Sequence, residues 1–250
     1  VAEAALTGKV VLITGGAKRV GGAIARRLHA SGANLMLHYH SAKSEAVELQ
    51  RALNGVRANS AATVQANLLN VAELPELVRT TVTRFGRLDA LVNNASSFNA
   101  TPLGEIKIAD WDELMGTNLK APLFLSQAAA PALKSAGGCI VNLTDIHADR
   151  PLKRYVVYSV AKAGLVGLTK SLARELGPEV RVNAVAPGPV MWPDDDSFDE
   201  LARQRIISHT LLKRAGEPAD VANAVHYLVA EAPYVTGQVI AVDGGRSVNL

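Results

Sequence analysis

Short apolar runs of strand-forming residues alternate with longer segments of helical periodicity along the whole chain, and this alternation restricts the fold more than any other feature. The first run, Val10-Val11-Leu12-Ile13, is apolar at every position. A strand buried on both faces of a parallel sheet has this pattern. Further strands are predicted at Asn34–Tyr39, Ala62–Ala66, Ala90–Val92, Gly138–Leu143, Val180–Val185 and Val239–Val242. Helices are predicted at Ala23–Ala30, Ser44–Leu53, Val71–Phe85, Trp111–Ala132, Val157–Leu176, Phe198–Thr210 and Pro218–Val229. Each parallel crossover needs a helix and about 30 residues, so seven strands use up a chain of 250. The expected fold is therefore α/β: a Rossmann-type three-layer sandwich with a seven-stranded, mostly parallel sheet flanked by helices, as one domain over 1–250.

Charge and cysteine content narrow the function classes. The net charge is +3 and the Lys and Arg residues are scattered, which argues against a nucleic-acid surface. The single cysteine, Cys139, cannot form an internal disulfide, and its apolar neighbours predict a buried, inert thiol. No apolar run approaches the ~18 residues of a membrane span. Residues Val1 to Lys9 lack a secretory pattern, so the cytoplasm is the expected compartment.

The segment Thr14-Gly15-Gly16-Ala17-Lys18-Arg19-Val20-Gly21-Gly22 joins the first strand to the first helix. Gly15 permits a sharp turn, and Gly21 is read as permitting close approach to a ligand. Helix-start N–H groups beyond them can receive a pyrophosphate, so Gly15, Arg19, Val20 and Gly21 are candidate dinucleotide contacts. The second strand ends His38-Tyr39-His40-Ser41, with no carboxylate before Glu45. A carboxylate there would bind a ribose diol, whereas Arg19, His40 and Ser41 favour a 2′-phosphate, so NADPH is the expected cofactor. His38 and His40 lack a third ligand nearby, and no metal is expected. Asn67 and Leu68 follow the third strand, as adenine contacts or as plain turn residues.

A second group of motifs lies at the other strand ends. Strand four runs into Asn94-Ala95-Ser96-Ser97-Phe98, strand five into Thr144-Asp145, and the next helix carries Tyr158 and Lys162 on one face at i,i+4. Ligands of parallel sheets bind beyond the carboxyl ends of strands, so these segments should share one cleft. An ammonium beside a phenol lowers its pKa, and such a tyrosine can pass a proton to an atom that receives hydride.

Together Thr14-Gly15 to Gly21, Asn93-Asn94-Ala95, Asn118, Tyr158-Ser159-Val160-Ala161-Lys162 and Pro187-Gly188 resemble the short-chain dehydrogenase/reductase family, over residues 8 to 250. The resemblance implies Tyr158 as proton donor, Lys162 on the nicotinamide ribose, Asn118 supporting a lysine-linked water relay, and a homotetramer. Two positions depart from the family pattern. Asp145 replaces the usual serine thirteen residues before the tyrosine, and Arg19 replaces the middle glycine of the first motif. A carboxylate repels a developing alkoxide but suits a nitrogen heterocycle that gains a proton with its hydride. Both departures resemble the pteridine reductases of that family, as do His38-Tyr39-His40-Ser41 and the Asn94–Phe98 segment.

That likeness implies a pterin slot beside Phe98, with Arg19, Ser96, Asp145 and Tyr158 as polar contacts. Tyr155 is expected to orient Asp145 or to pack near the ligand. The segment from Pro189 through Trp192 to Asp196 is expected to close the outer side, where the usual threonine after Gly188 is missing. The expected activity is NADPH-dependent reduction of dihydropterin to tetrahydropterin, with oxidised pterin or folate as further substrates. The alternatives are a ketone reductase, such as a 3-oxoacyl carrier-protein reductase, and a non-catalytic cofactor-binding module.

Overall fold

The computed structural model describes residues 5–192 and 198–249. The Pro193-Asp194-Asp195-Asp196 part of the expected closing loop lies outside the described residues. Seven strands form one sheet, paired in parallel throughout: β1 (Val10–Ile13), β2 (Asn34–Tyr39), β3 (Ala61–Gln65), β4 (Ala90–Asn93), β5 (Cys139–Leu143), β6 (Arg181–Pro187) and β7 (Val239–Val242). Their order is β3-β2-β1-β4-β5-β6-β7. The order reverses between β1 and β4, and that reversal opens the crevice in which parallel sheets bind ligands.

The helices are α1 (Arg19–Ala30), α2 (Lys43–Val56), α3 (Leu74–Phe85), α4 (Ile108–Met115), α5 (Ala121–Ala136), α6 (Val156–Leu176), α7 (Glu200–Ser208) and α8 (Pro218–Ala230). Side chains alternate across the sheet with period two. Val11 and Ile13 pack on Ile24 and Leu28 of α1 and on Val221 and Val225 of α8. Leu12 faces the opposite layer, with Leu77 of α3 and Leu125 and Leu133 of α5. Every residue of β1, β4 and β5 is buried, which is why these strands read as apolar runs, broken only by Asn93 and Asn142.

Most boundaries shift by a few residues, and two differences bear on the site. The first helix begins at Arg19, not Ala23, so the tight turn is shorter than its glycines imply. The segment predicted as one helix over Trp111–Ala132 is interrupted by a π-helical turn, Gly116–Lys120, between α4 and α5. Pro122 has no N–H to return to the Asn118 carbonyl four residues earlier. The chain rewinds instead through a longer bond, Ala121 N–H to the Gly116 carbonyl. Such π turns often mark functional positions, and this one carries Asn118. No helix among the described residues is long and apolar enough to cross a membrane.

Candidate active site

A cavity of about 620 Å³ opens beyond the carboxyl ends of β1, β2, β4, β5 and β6. Gly15, Arg19, Val20, Gly21, Tyr39, His40, Ser41, Asn94, Ala95 and Ser96 line it from one side. Phe98, Asp145, Tyr158, Lys162, Pro187, Gly188, Pro189 and Trp192 are also in its lining.

The first turn is tied together from several directions. Thr14 Oγ1 accepts from the N–H groups of Asn94 and Ala95 at 2.9 and 3.0 Å, and Asn94 Nδ2 donates to the carbonyls of Thr14 and Gly15 at 2.9 and 3.0 Å. Gly15 has φ +60. A Cβ on Gly21 would collide with the Gly15 carbonyl oxygen and the Asn94 amide. Gly21 is therefore required by the packing of the turn as well as lining the cavity. No side chain caps the start of α1, and helix-start N–H groups are where an anion is received. Arg19 has φ +54, a left-handed conformation that glycine adopts without strain. Its guanidinium crosses the cavity mouth to the Trp192 carbonyl at 2.7 Å.

His38 is corrected as a direct cofactor contact. Its Nδ1 accepts from the Gly15 N–H at 3.2 Å, and its Nε2 lies 3.1 Å from the Ala66 carbonyl. The ring is 2% exposed, and burial pushes its pKa down to about 4. A neutral His38 thus holds the turn from behind, leaving the cavity to His40 and Ser41. Asn67 and Leu68 also stand outside the cavity lining: the Asn67 side chain accepts from the Leu69 N–H at 3.0 Å, and Leu68 is packed in the core. Among the described residues no cluster could hold a metal ion.

At the other end Tyr158 donates to Asp145 Oδ2 at 2.7 Å. Asp145 Oδ1 accepts from the His147 N–H at 2.8 Å, so one carboxylate caps a short turn and engages the phenol together. Burial, and then the Asp145 charge, hold the Tyr158 phenol well above its ordinary value. This reverses the expectation of a lysine-lowered phenol: here Tyr158 is firmly protonated. Lys162 is 2% exposed and donates to the Leu143 carbonyl at 2.8 Å, and burial lowers its pKa from 10.5 to about 8. Asn118 lies behind Ser96, accepting its hydroxyl at 2.6 Å and donating to the carbonyls of Ser97 and Leu114. It therefore fixes the segment after β4 from outside the cavity.

Phe98 lines the cavity and stacks on Tyr155 at 4.4 Å between ring centroids, with Tyr158 edge-on at 4.8 Å. Tyr155 braces Phe98; the carboxylate contacts belong to Tyr158 and His147, so orientation of Asp145 by Tyr155 is corrected. Sequence reasoning quoted Thr14 and Asn93 in its motifs without assigning them a role, and it missed the buried chain Asn93–Asn142–Thr169 that joins β4, β5 and α6 at 2.8 and 2.9 Å. Polar residues inside otherwise apolar strands are the signal that finds them.

Comparison with known proteins follows from this geometry. A family model described as enoyl-(acyl carrier protein) reductase matches residues 15–247. Pteridine reductase 1 of Leishmania tarentolae is 38% identical, with 97% of each chain covered. A 3-oxoacyl-[acyl-carrier-protein] reductase of Synechocystis is 36% identical, covering 96% of this chain and 98% of that one. Among solved structures, a blue fluorescent protein from a metagenomic library, in complex with NADPH, superposes with a TM-score of 0.90 at 34% identity, covering 96% and 98%.

Proposed function

Because the chain belongs to the short-chain dehydrogenase/reductase family, we propose that this oxidoreductase reduces pterins with NADPH, taking a dihydropterin to a tetrahydropterin. The observation that carries the reading is the 2.7 Å bond between Tyr158 and Asp145 at the cavity wall.

The cavity fits a phosphorylated dinucleotide. The tight Gly15–Gly21 turn, the uncapped start of α1, and Lys18, Arg19, His40 and Ser41 offer donors and positive charge, while Asp145 is the one carboxylate in the lining among the described residues. When bound, NADPH supplies the hydride. Lys162 would hold the nicotinamide ribose, and Asn94, Ala95, Pro187 and Gly188 would line the nicotinamide end of the site.

The chain's own residues handle the proton. The substrate C=N bond gains hydride on carbon and a proton on nitrogen, delivered by the Tyr158 O–H, and the Tyr158–Asp145 pair regains its proton from solvent. A protonated imine is positive, so Asp145 stabilises it and favours hydride attack. A ketone would instead develop a negative alkoxide beside the same carboxylate. Two like charges 4 Å apart at an effective dielectric of 20 repel by about 4 kcal/mol, which is roughly a thousandfold in rate. Phe98, braced by Tyr155, offers a flat apolar wall to the bicyclic ring, and Ser96 and Arg19 meet its polar edge.

The 3-oxoacyl relatives, at similar identity, make ketone reduction the second reading. NADPH oxidation with dihydrobiopterin, dihydromonapterin and dihydrofolate, beside an acetoacetyl thioester, separates the two. Turnover of a dihydropterin without the thioester supports the pterin reading; turnover of the thioester alone replaces it. We also propose a single reductase domain over 1–250 working in the cytoplasm as a homotetramer. Exposed Trp111, Leu123, Val156 and Val160 on α4, α5 and α6 supply apolar faces for assembly.

A further inference from the structure

Resting on the pterin reading, we propose that Arg246 forms an anion subsite at the far end of the substrate cavity and makes the enzyme prefer pterins with a negatively charged tail. Four Lys or Arg residues line the cavity. Lys18 and Arg19 belong to the first turn, and Lys162 stands with Asp145 and Tyr158. The fourth, Arg246, has no part in either group.

Sheet order separates it from the cofactor phosphates. His40 and Ser41 follow β2, and Arg246 follows β7. These strands lie on opposite sides of the β1–β4 switch point, with β1 and β4 to β6 between them. An anion bound by Arg246 is therefore distinct from a 2′-phosphate beside β2. Among the described residues, Arg246 shares the lining with the apolar side chains of Leu152, Met191, Trp192, Phe198 and Ile206. A tail that packs on these side chains and ends in a negative charge matches this lining.

The guanidinium is held but not saturated. It is half-buried, and Nη1 donates to the Ile206 carbonyl at 2.8 Å. Its other donors make no hydrogen bond or ion pair with the described residues. Asp243, the carboxylate three residues earlier, acts on the guanidinium through its charge but forms no hydrogen bond with it, and accepts from the N–H groups of Gly245 and Ser247, at 2.9 and 2.7 Å. The Ile206 bond thus fixes the planar fork while leaving donors for a carboxylate or phosphate.

The test compares kcat and KM of wild type, Arg246→Met and Arg246→Lys on three substrates. These are dihydrobiopterin, with a neutral tail, dihydrofolate, with carboxylates, and dihydroneopterin monophosphate. The expected result is a wild-type preference for an anionic tail. Arg246→Met lowers the anionic-to-neutral ratio of kcat/KM by roughly 30-fold, mostly through KM, and Arg246→Lys retains most of it. A loss confined to dihydrofolate or to the phosphate ester identifies the source of the charge. In wild type, added salt raises KM for the anionic substrate alone, a readout that needs no variant. Equal losses on all three substrates overturn the proposal and reduce Arg246 to an anchor for α7. Wild-type turnover of dihydrobiopterin with no anionic preference overturns it while the pterin reading stands. Absence of turnover on all three refutes the pterin reading, and the subsite falls with it.

Discussion

Replacing Lys162 by methionine should stabilise the protein while abolishing its activity. The ammonium sits 2% exposed, and burial lowers its pKa from 10.5 to about 8. At roughly 1.4 kcal/mol for each tenfold in proton affinity, holding that charge costs about 3 kcal/mol at neutral pH. Methionine fills a similar volume without charge, but it leaves the Leu143 carbonyl without its 2.8 Å donor, a loss of about 1–2 kcal/mol. The net expectation at pH 7 is a gain of about 1–2 kcal/mol.

The pH dependence makes the test specific. Between about pH 8 and 10.5 the unfolded chain holds a proton that folded Lys162 has released, so wild-type stability rises with pH in that window. Below about 8 both states are charged and the full cost is present. From pH 7 to 9.5 the wild type should therefore gain about 2 kcal/mol relative to the methionine variant. Urea unfolding followed by circular dichroism at both pH values, at one protein concentration, measures this. A variant less stable at pH 7, with a gap that does not change by pH 9.5, would refute the electrostatic reasoning.

Other consequences can be checked separately. Because the free enzyme needs a charged Lys162 to grip the ribose, kcat/KM for NADPH should decline as pH rises past about 8, and a flat profile to pH 9.5 would contradict this. Asp145→Asn preserves shape but removes the charge beside Tyr158, so dihydropterin kcat should fall about 100-fold or more; a loss below tenfold in steady-state assays would remove Asp145 from proton delivery. Ser41→Asp places a carboxylate where a 2′-phosphate is expected and should shift the NADPH-to-NADH ratio of kcat/KM by roughly 30-fold towards NADH. Burial pushes the Cys139 thiol up to about 11, so a maleimide at neutral pH should label it only in urea, and rapid labelling of the native protein would be inconsistent with the core packing.

The strands and the first turn were legible because their signals are local. Four buried residues in a row, or a glycine at a positive φ, leave a mark within a few positions of sequence. Tyr158 and Lys162 were legible for the same reason, since helical spacing alone puts them on one face. Asp145 was visible only as a departure from a family pattern.

Roles that depend on distant partners were misread. His38 ends its strand where a phosphate contact would stand, yet its nitrogens meet Gly15 and Ala66. Of the two roles expected for Tyr155, orienting Asp145 or packing near the ligand, its stacking behind cavity-lining Phe98 favours the second. The pKa of Tyr158 is shifted up where a downward shift was expected, because burial and Asp145 dominate its electrostatics, and burial cannot be read from the i,i+4 spacing. Arg246 drew no notice as one arginine near the end of the chain. The sequence alone determined the elements, the parallel sheet and the chemical types available at its strand ends, because periodicity and backbone preference act over short range. Only the tertiary structure decided which of those groups face one another, because sheet order and burial set the neighbours of each side chain, and with them its charge state.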